Sequence, residues 1–234
     1  MKWKSFVLSL ILLFLLVLSL LYPELFSQFS AILSILLLVL LFIQIFIYYE
    51  GKITSSKEIA TISILGAFSA ASRIPFAAIP SVQPCTFIIL VSGYVFGPLS
   101  GFIIGGETAL LSNFFLGQGP WTIWQMLAWG IVGVIGHLIR KLGKNSFLLL
   151  MIISVAVAYL YGIIMNISYW IMYMGTHTFA SFLYVELLSF WYDTLHAAGN
   201  VIFMDIFGAR FIKILEDYKN RFGLFSSSEA PSSS

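Results

Sequence analysis

Charged residues and cysteines are both scarce in this sequence. Asp, Glu, Lys and Arg make up 9% of the 234 residues, whereas 60% are hydrophobic and the mean hydropathy is +0.99. A soluble domain carries roughly a quarter charged residues, so the composition indicates an all-α integral membrane protein. Cys85 is the only cysteine, which excludes an intramolecular disulfide and a thiolate cluster. The Lys and Arg residues form neither a stripe nor a dense run, which argues against a nucleic-acid partner.

Common catalytic signatures are also missing. The sequence has no Gly-x-Ser-x-Gly turn, no His-Glu-x-x-His helix and no phosphate-binding Gly-x-x-x-x-Gly-Lys-[Ser/Thr] loop. The chain therefore cannot hydrolyse ATP by the phosphate-loop route, and we expect no cofactor of its own. A metal site needs several ligands. Cys85 stands alone and no His-x-x-x-His pair occurs, so we expect no bound metal.

Eight hydrophobic segments divide the chain. The first follows Lys2 and Lys4 and could be a signal peptide, but Leu21-Tyr22-Pro23-Glu24 offers no small-x-small cleavage site, so we favour a retained transmembrane helix. The second, Ser30–Tyr49, has the length of about 20 residues that a bilayer requires. The other six predicted spans are 59–74, 86–96, 99–115, 124–139, 147–173 and 182–214.

The distribution of cations predicts the orientation in the membrane. With both termini in the cytoplasm, eleven Lys and Arg residues fall on the inner side and only Arg73 falls on the outer side. This asymmetry follows the positive-inside rule. Three loops are then extracellular: 73–84, 116–122 and 174–181. The inner cations are Lys2, Lys4, Lys52, Lys57, Arg140, Lys141, Lys144, Arg210, Lys213, Lys219 and Arg221.

Polar side chains within or beside the outer ends of the spans predict a binding site there. Such side chains are costly in a bilayer unless they are paired or face a cavity. The turn Gly117-Gln-Gly-Pro-Trp121 is the most suggestive stretch. For the aromatic residues, anchoring at the membrane interface is the competing explanation. The candidate binding residues are Gln83, Asn113, Gln118, Trp121, Trp124, Gln125, Asn166, Trp170, Asp193, His196 and Asn200, with further aromatic walls from Trp129, Tyr169, Tyr173, Trp191 and Tyr192.

Three titratable residues leave a second interpretation open. Asp193 and His196 are three residues apart, and Asn200 continues the same helix face. Such a group fits ligand contact and fits equally a polar pair that holds the helices together. Glu107 is a lone acid among small residues, for which a structural partner is the simpler explanation. Used together on a lipid-like substrate, Asp193, His196 and Glu107 would make the protein an intramembrane enzyme.

Several segments resemble the substrate-binding S components of energy-coupling factor (ECF) transporters. The resemblance covers roughly Lys57 to Arg221, that is, the last six spans. The Gly-Gln-Gly-Pro-Trp turn is most similar to the branch that binds cobalamin or other corrinoids. The segments that carry the resemblance are Ile64–Arg73, Val82–Pro84, Ser112–Thr122, Trp124–Gly130 and Asp193–Asn200.

The resemblance implies a fold, an activity and partners. S components have six helices, bind a vitamin in a pocket closed by external loops, and lack enzymatic activity. They work with a transmembrane coupling subunit and two cytoplasmic ATPases, which use the ATP, in the cell membrane of a prokaryote. Their Ala-x-x-x-Ala element, which docks on the coupling subunit, corresponds to Ala67 and Ala71, with Ser63 one turn earlier.

The expected organisation therefore has three parts. Residues 1–56 form two N-terminal transmembrane helices that the family pattern lacks. Residues 57–222 form the six-helix substrate-binding membrane domain. Residues 223–234 form a Ser-rich tail that has nothing to bury and should be disordered.

Overall fold

A computed structural model describes residues 55–143 and 146–225, together with a few isolated positions before them. The two predicted N-terminal spans and the tail from Ser226 onward lie outside this described part. Within it, every regular element is a helix. The elements are α1 (Ser56–Arg73), α2 (Cys85–Phe96), α3 (Pro98–Leu116), α4 (Trp121–Lys141), α5 (Ser146–Tyr173), α6 (Phe179–Phe203), a π-helical turn (Met204–Gly208) and α7 (Ala209–Phe222).

The six predicted hydrophobic segments of the described part are helical, with shifted ends. Pro98 and Gly97 separate α2 from α3 as expected, because Gly97 has φ +98° and Pro98 is the first helical residue. Helix α4 begins at Trp121 rather than at the predicted Trp124. The last predicted helix begins at Phe179 rather than at Phe182, and the π-helical turn interrupts it before α7.

Two helix starts are fixed by reciprocal side-chain caps. Ser55 Oγ accepts from the Glu58 backbone N–H at 3.2 Å, and Glu58 Oε2 accepts from the Ser55 N–H at 2.9 Å. Thr178 and Ser181 cap α6 in the same way. Each pair satisfies two backbone donors that the first helical turn leaves free.

Helices α2, α3 and α4 touch through glycines. A Cβ added at Gly133 would lie 2.2 Å from the Gly101 carbonyl carbon, and one added at Gly93 would lie 1.8 Å from the Gly133 oxygen. Real Cβ atoms do not make contacts this short, so only glycine allows the three backbones to approach so closely. Helix α1 packs on α3, helix α6 packs on α5, and α4 lies against α2, α3 and α5.

The two ends of this bundle differ in charge. At one end Arg140, near the end of α4, pairs with Glu216 of α7 at 2.6 Å, and Lys57 at the start of α1 lies 5.7 Å from the Phe222 ring centre. Helix α1 runs from this end to Arg73 at the other end of the bundle. The hydrogen-bond partners of Arg73 in the described structure are all neutral. The cationic end also holds Lys141, Lys219 and Arg221, in the last turns of α4 and α7.

The folded part extends past the predicted domain limit at residue 222. Leu224 and Phe225, which the sequence assigns to the tail, are buried. The Phe225 N–H donates to Glu58 Oε1 at 2.6 Å, and its ring lies 5.0 Å from that of Phe96.

Three helices are long and apolar enough to cross a membrane: Pro98–Leu116, Trp121–Lys141 and Phe147–Tyr173. Helix Cys85–Phe96 is apolar but shorter. These spans and the all-helical fold agree with the predicted membrane protein.

Candidate functional site

Arg73 is buried at the end of α1 although it carries a full positive charge; 6% of its surface is exposed. Its Nε donates to Gln83 Oε1 at 2.7 Å, and its Nη1 donates to Ser112 Oγ and, at 3.2 Å, to Asn113 Oδ1. Its Cζ lies 4.6 Å from the centre of the Trp129 ring, within the range of a cation–π contact. One guanidinium thus connects α1, the following loop, α3 and α4.

Asn113 extends these contacts through both ends of its amide. While Oδ1 accepts from Arg73, Nδ2 donates to Thr122 Oγ1 at 2.9 Å and to Gln125 Oε1 at 2.6 Å. Thr122 Oγ1 in turn donates to Gln118 Oε1 at 2.9 Å. We call this array of seven residues the guanidinium network: Arg73, Gln83, Ser112, Asn113, Gln118, Thr122 and Gln125. Its four amide side chains were predicted site residues.

Aromatic rings lie directly beside the guanidinium network. Gln125 Nε2 donates to the Tyr161 hydroxyl at 3.1 Å, and the Tyr161 ring stacks on Trp129 with centroids 4.9 Å apart. His196 meets Tyr161 edge-on at 5.2 Å. Its Nε2 lies 2.8 Å from Thr86 Oγ1, which also accepts from Trp129 Nε1 at 3.0 Å. The predicted residue His196 is thereby linked to the network through Trp129.

A second polar chain joins α5 to α6. Asn166 Nδ2 donates to Ser189 Oγ at 2.6 Å, and Ser189 Oγ donates to Asp193 Oδ2 at 2.9 Å. The Asp193 carboxylate lies against Gly162, where an added Cβ would come within 2.2 Å of Oδ1. Within the described residues no hydrogen bond connects this chain to the guanidinium network, so Asn166 and Asp193 form a separate group.

The three groups of the enzymatic interpretation do not share one site. Glu107 lies on α3 against Gly66 of α1, and its Oε2 is buried without a hydrogen-bond partner in the described structure. Asp193 faces α5 and His196 bonds to α2. Asp193 and His196 both contact α5, through Gly162 and Tyr161, whereas Glu107 contacts α1. No group of three or more His, Cys, Asp or Glu residues suited to a metal is found in the described part of the chain.

The predicted tryptophans occupy different environments. Trp124 and Trp170 are buried in an apolar cluster with Ile171. Trp170 Nε1 also donates to Ser181 Oγ at 2.8 Å, which ties the end of α5 to the start of α6. Trp121 is 36% exposed, and its ring covers Gly119 in the loop before α4. Only Trp121 of these three is partly open at the surface.

Other predicted residues are placed away from the guanidinium network. Asn200 is fully buried and donates to the Ser154 carbonyl at 3.0 Å, which joins α6 to α5. Such a bond holds two helices together. The remaining aromatic wall candidates are at least half exposed, which fits interfacial anchoring better than a shared pocket. They are Tyr169, Tyr173, Trp191 and Tyr192.

Sequence reasoning did not select the centre of the site. The sequence identified Arg73 only as the single cation on the predicted outer side. That isolation was the one feature of the sequence that could have marked Arg73 as a site residue. Nothing in the sequence marked Tyr161, because its role depends on α5 meeting α4. Ser112, Thr122 and Thr86 were likewise not selected.

The predicted docking residues lie on the outward face of α1. Ser63, Ala67 and Ala71 are exposed, whereas Leu65, Gly66 and Ser69 on the opposite face are buried. Ile64 and Phe68 flank the small residues and are 65% and 52% exposed. This side of the helix is therefore uncovered by the described chain.

Comparisons with known proteins give related sequences but no structure. A UPF0397 protein of Vibrio atlanticus (strain LGP32) is 28% identical over 96 residues, and UPF0397 proteins of Aliivibrio fischeri (strain MJ11) and Aliivibrio salmonicida (strain LFI1238) are each 29% identical over the same length. The alignments cover 39% of this chain and 52% of each relative, so the chain spans about half the length of the relatives it matches. No solved structure matches.

The family comparison extends over most of the chain. Residues 57–214 match the model of the ECF transporter substrate-specific component. This range runs from the start of α1 into α7 and includes the whole guanidinium network. The chain therefore belongs to the family of substrate-specific components of ECF transporters.

Proposed function

We propose that this protein captures a vitamin from outside a prokaryotic cell at the Arg73 end of its bundle. A transmembrane coupling subunit and two cytoplasmic ATPases then drive release to the inside. Cobalamin or another corrinoid is the first ligand we propose. The family supports the transport role, and the cations at the opposite end of the bundle support this orientation, since positive residues favour the cytoplasmic side.

The observation that carries the proposal is the guanidinium network with its aromatic neighbours. Amide, hydroxyl and guanidinium groups converge beside Trp129 and Tyr161 at the predicted outer ends of α1, α3 and α4. Small-molecule sites typically combine apolar aromatic walls with a few fixed polar groups. Gln118 connects this network to the loop that precedes α4, so ligand contact and loop position are coupled.

A binding role also fits the acid and base side chains better than catalysis does. General acid–base chemistry requires the participating groups within reach of one substrate. Glu107 faces α1, whereas Asp193 and His196 both contact α5. The position of Glu107 on another face of the bundle argues against the enzymatic interpretation, which uses all three groups on one substrate.

Native mass spectrometry of the gently purified protein, followed by titration with cobalamin, riboflavin, thiamin, biotin and folate, tests the proposal. We expect one of these vitamins to be retained and to bind tightly. Gln125→Ala should weaken binding by about 3- to 10-fold, the effect of losing one or two neutral hydrogen bonds. Trp121→Ala should weaken binding as well, because it opens the loop over Gly119.

Tyr184→Ala serves as the matched control. Tyr184 is an exposed aromatic residue of α6 outside every predicted site, so its removal should leave binding unchanged. If none of the five vitamins binds the wild-type protein, the proposed substrate class is wrong.

A further inference from the structure

We propose that Arg73 is an anion receptor, and that the transported ligand carries a carboxylate or phosphate group which the guanidinium binds. The inference rests on the proposed function and names the chemical class of its substrate. It depends on three features of the described structure: the Arg73 charge is buried, its hydrogen-bond partners are neutral, and its Nη2 group makes no hydrogen bond to the described residues.

The Arg73 charge is buried without a counter-charge. All three of its hydrogen-bond acceptors, on Gln83, Ser112 and Asn113, are neutral. No carboxylate of the described residues lies within ion-pair distance of it. Burying an ion without a paired charge is strongly unfavourable, so this arrangement favours the arrival of an anion from outside the chain.

The guanidinium also retains donors that the protein does not use. Nε and Nη1 make the three bonds described above, whereas Nη2 has no hydrogen-bond partner among the described residues. Arginine presents its donors as a planar fork that matches carboxylate and phosphate oxygens. The Trp129 ring holds the plane of this fork from one side, so the free donors are oriented before the ligand arrives.

Acidic side chains elsewhere do not supply the missing charge. Glu107 packs against Gly66, which precedes Arg73 by seven residues and hence lies about 10 Å away along α1. Asp193 accepts from Ser189 and packs on Gly162 of α5. Tyr161 stacks on the Trp129 ring, and His196 shares Thr86 with Trp129; neither is a carboxylate.

A purely structural role is the competing explanation, because Arg73 connects four segments. The two roles differ in what they predict for ligands. A structural arginine supports every ligand equally, whereas an anion receptor discriminates between an acid and its neutral analogue. The ratio of the wild-type protein's affinities for an acid and for its neutral analogue therefore decides between the two roles. Measuring this ratio needs no variant that risks misfolding.

The test measures dissociation constants by isothermal titration for matched pairs. Biotin with biotinamide, nicotinate with nicotinamide and pantothenate with pantothenol test a carboxylate. Cyanocobalamin with dicyanocobinamide, which lacks the nucleotide phosphodiester, tests a phosphate. In the pair that binds, we expect the anion to bind at least about 10-fold more tightly, as charged hydrogen bonds exceed neutral ones.

Variants then assign the preference to Arg73. Arg73→Gln should abolish the difference between the two members of the pair, and Arg73→Lys should retain part of it, because a lysine keeps the charge but not the planar fork. Equal affinity of wild-type protein for both members overturns the inference. So does a preference that survives Arg73→Gln.

Failure of this inference is distinguishable from failure of the proposed function. Tight binding of riboflavin or thiamin, which bring no such anion, with unchanged affinity in Arg73→Gln, would overturn the anion receptor and leave the vitamin-binding role intact. Absence of binding by every compound of both panels would overturn the vitamin-binding role and the inference together.

Discussion

Asn113 is the residue on which the polar side of the candidate site depends. It is 2% exposed, and its amide accepts from Arg73 while it donates to Thr122 and Gln125. Since a buried polar group that loses its partner costs about 1–3 kcal/mol, each of these contacts fixes the orientation of the next. The amide therefore determines where the guanidinium and the loop before α4 are held.

Asn113→Asp would place a carboxylate next to the guanidinium. A carboxylate oxygen in the place of the amide Oδ1 would lie 3.2 Å from Arg73 Nη1 and supply a permanent counter-charge. We expect affinity for the preferred anionic ligand to fall at least about 10-fold, because the site no longer lacks an anion. Titration of the purified variant measures this.

Asn220→Asp is the matched control for that change. Asn220 is exposed on α7 at the cationic end of the bundle, so the same chemical substitution there should leave ligand affinity unchanged. An Asn113→Asp protein that binds the anionic ligand as tightly as the wild type would contradict the assigned role of Asn113.

At the residue scale, the sequence predicts which polar residues belong to the site better than it predicts which of them bond to each other. Gln83, Asn113 and Gln125 were identified because amides at membrane depth are costly unless satisfied, and Gln118 was identified from the Gly-Gln-Gly-Pro-Trp turn. Arg73, which bonds to Gln83 and Asn113, was not identified, since a charged residue at a predicted helix end resembles an ordinary flanking residue. Which side chains meet depends on helix rotation and contact, which no spacing rule within one segment determines.

At the scale of elements, glycine determines how closely the central helices pack. The sequence predicted close approach for the small residues Ser63, Ala67 and Ala71 of α1, but within the described chain that face is uncovered. The internal backbone contacts instead use Gly93, Gly101 and Gly133 of α2, α3 and α4. Small residues favour close helix packing in both cases. Composition alone does not reveal whether a small-residue face packs on a helix of the same chain or on another protein.

Gly133→Ala should destabilise the protein. The new methyl group would lie 2.2 Å from the Gly101 carbonyl carbon, so α3 and α4 must separate. Overpacking of this kind typically costs about 1–3 kcal/mol, more than alanine gains over glycine within a helix. We expect the variant to unfold at a temperature several degrees below that of the wild type. Thermal unfolding of both proteins in detergent, monitored by intrinsic fluorescence, measures this difference.

Gly175→Ala is the control for that measurement. An added Cβ at Gly175, in the loop between α5 and α6, meets no atom within 4 Å. The variant should unfold at the wild-type temperature. Equal stability of Gly133→Ala and wild-type protein would show that the two backbones separate without cost.

The boundaries of the elements were predictable to different degrees. The α2–α3 junction was predicted within one residue, because Gly97 and Pro98 fix both a turn and a helix start. The start of α4 was placed three residues late, since Thr122 and its neighbours dilute the apolar signal. The π-helical turn at Met204–Gly208 was missed, because hydropathy does not register a change in hydrogen-bond period.

For the whole molecule, the proposed function assigns separate roles to the two ends and to one side of the bundle. The guanidinium network lies at the predicted outer end, and the cations gather at the other. Helix α1 connects them: it carries Arg73 on its buried face and Ala67 and Ala71 on its exposed face. Ligand capture and coupling-subunit docking are therefore expected on opposite faces of a single helix.

Replacing Ala67 or Ala71 by leucine separates these two activities. A leucine on the exposed face adds bulk where a partner helix must approach closely, while the buried face and Arg73 are unchanged. We expect Ala67→Leu and Ala71→Leu to abolish or strongly reduce uptake of the bound vitamin by cells that contain the coupling subunit and both ATPases. The dissociation constant of the purified protein should stay within about twofold of wild type, because surface substitutions change free energies by roughly 0.5 kcal/mol or less.

Ala198→Leu provides the comparison, since Ala198 is an exposed alanine of α6 outside the predicted docking stripe. It should keep both binding and uptake, because the added bulk faces no proposed partner. If the α1 leucines left uptake intact, docking would have to use another surface. If they weakened binding and uptake in parallel, the exposed face of α1 would instead belong to the ligand site, and the assignment of its two faces to separate activities would be wrong.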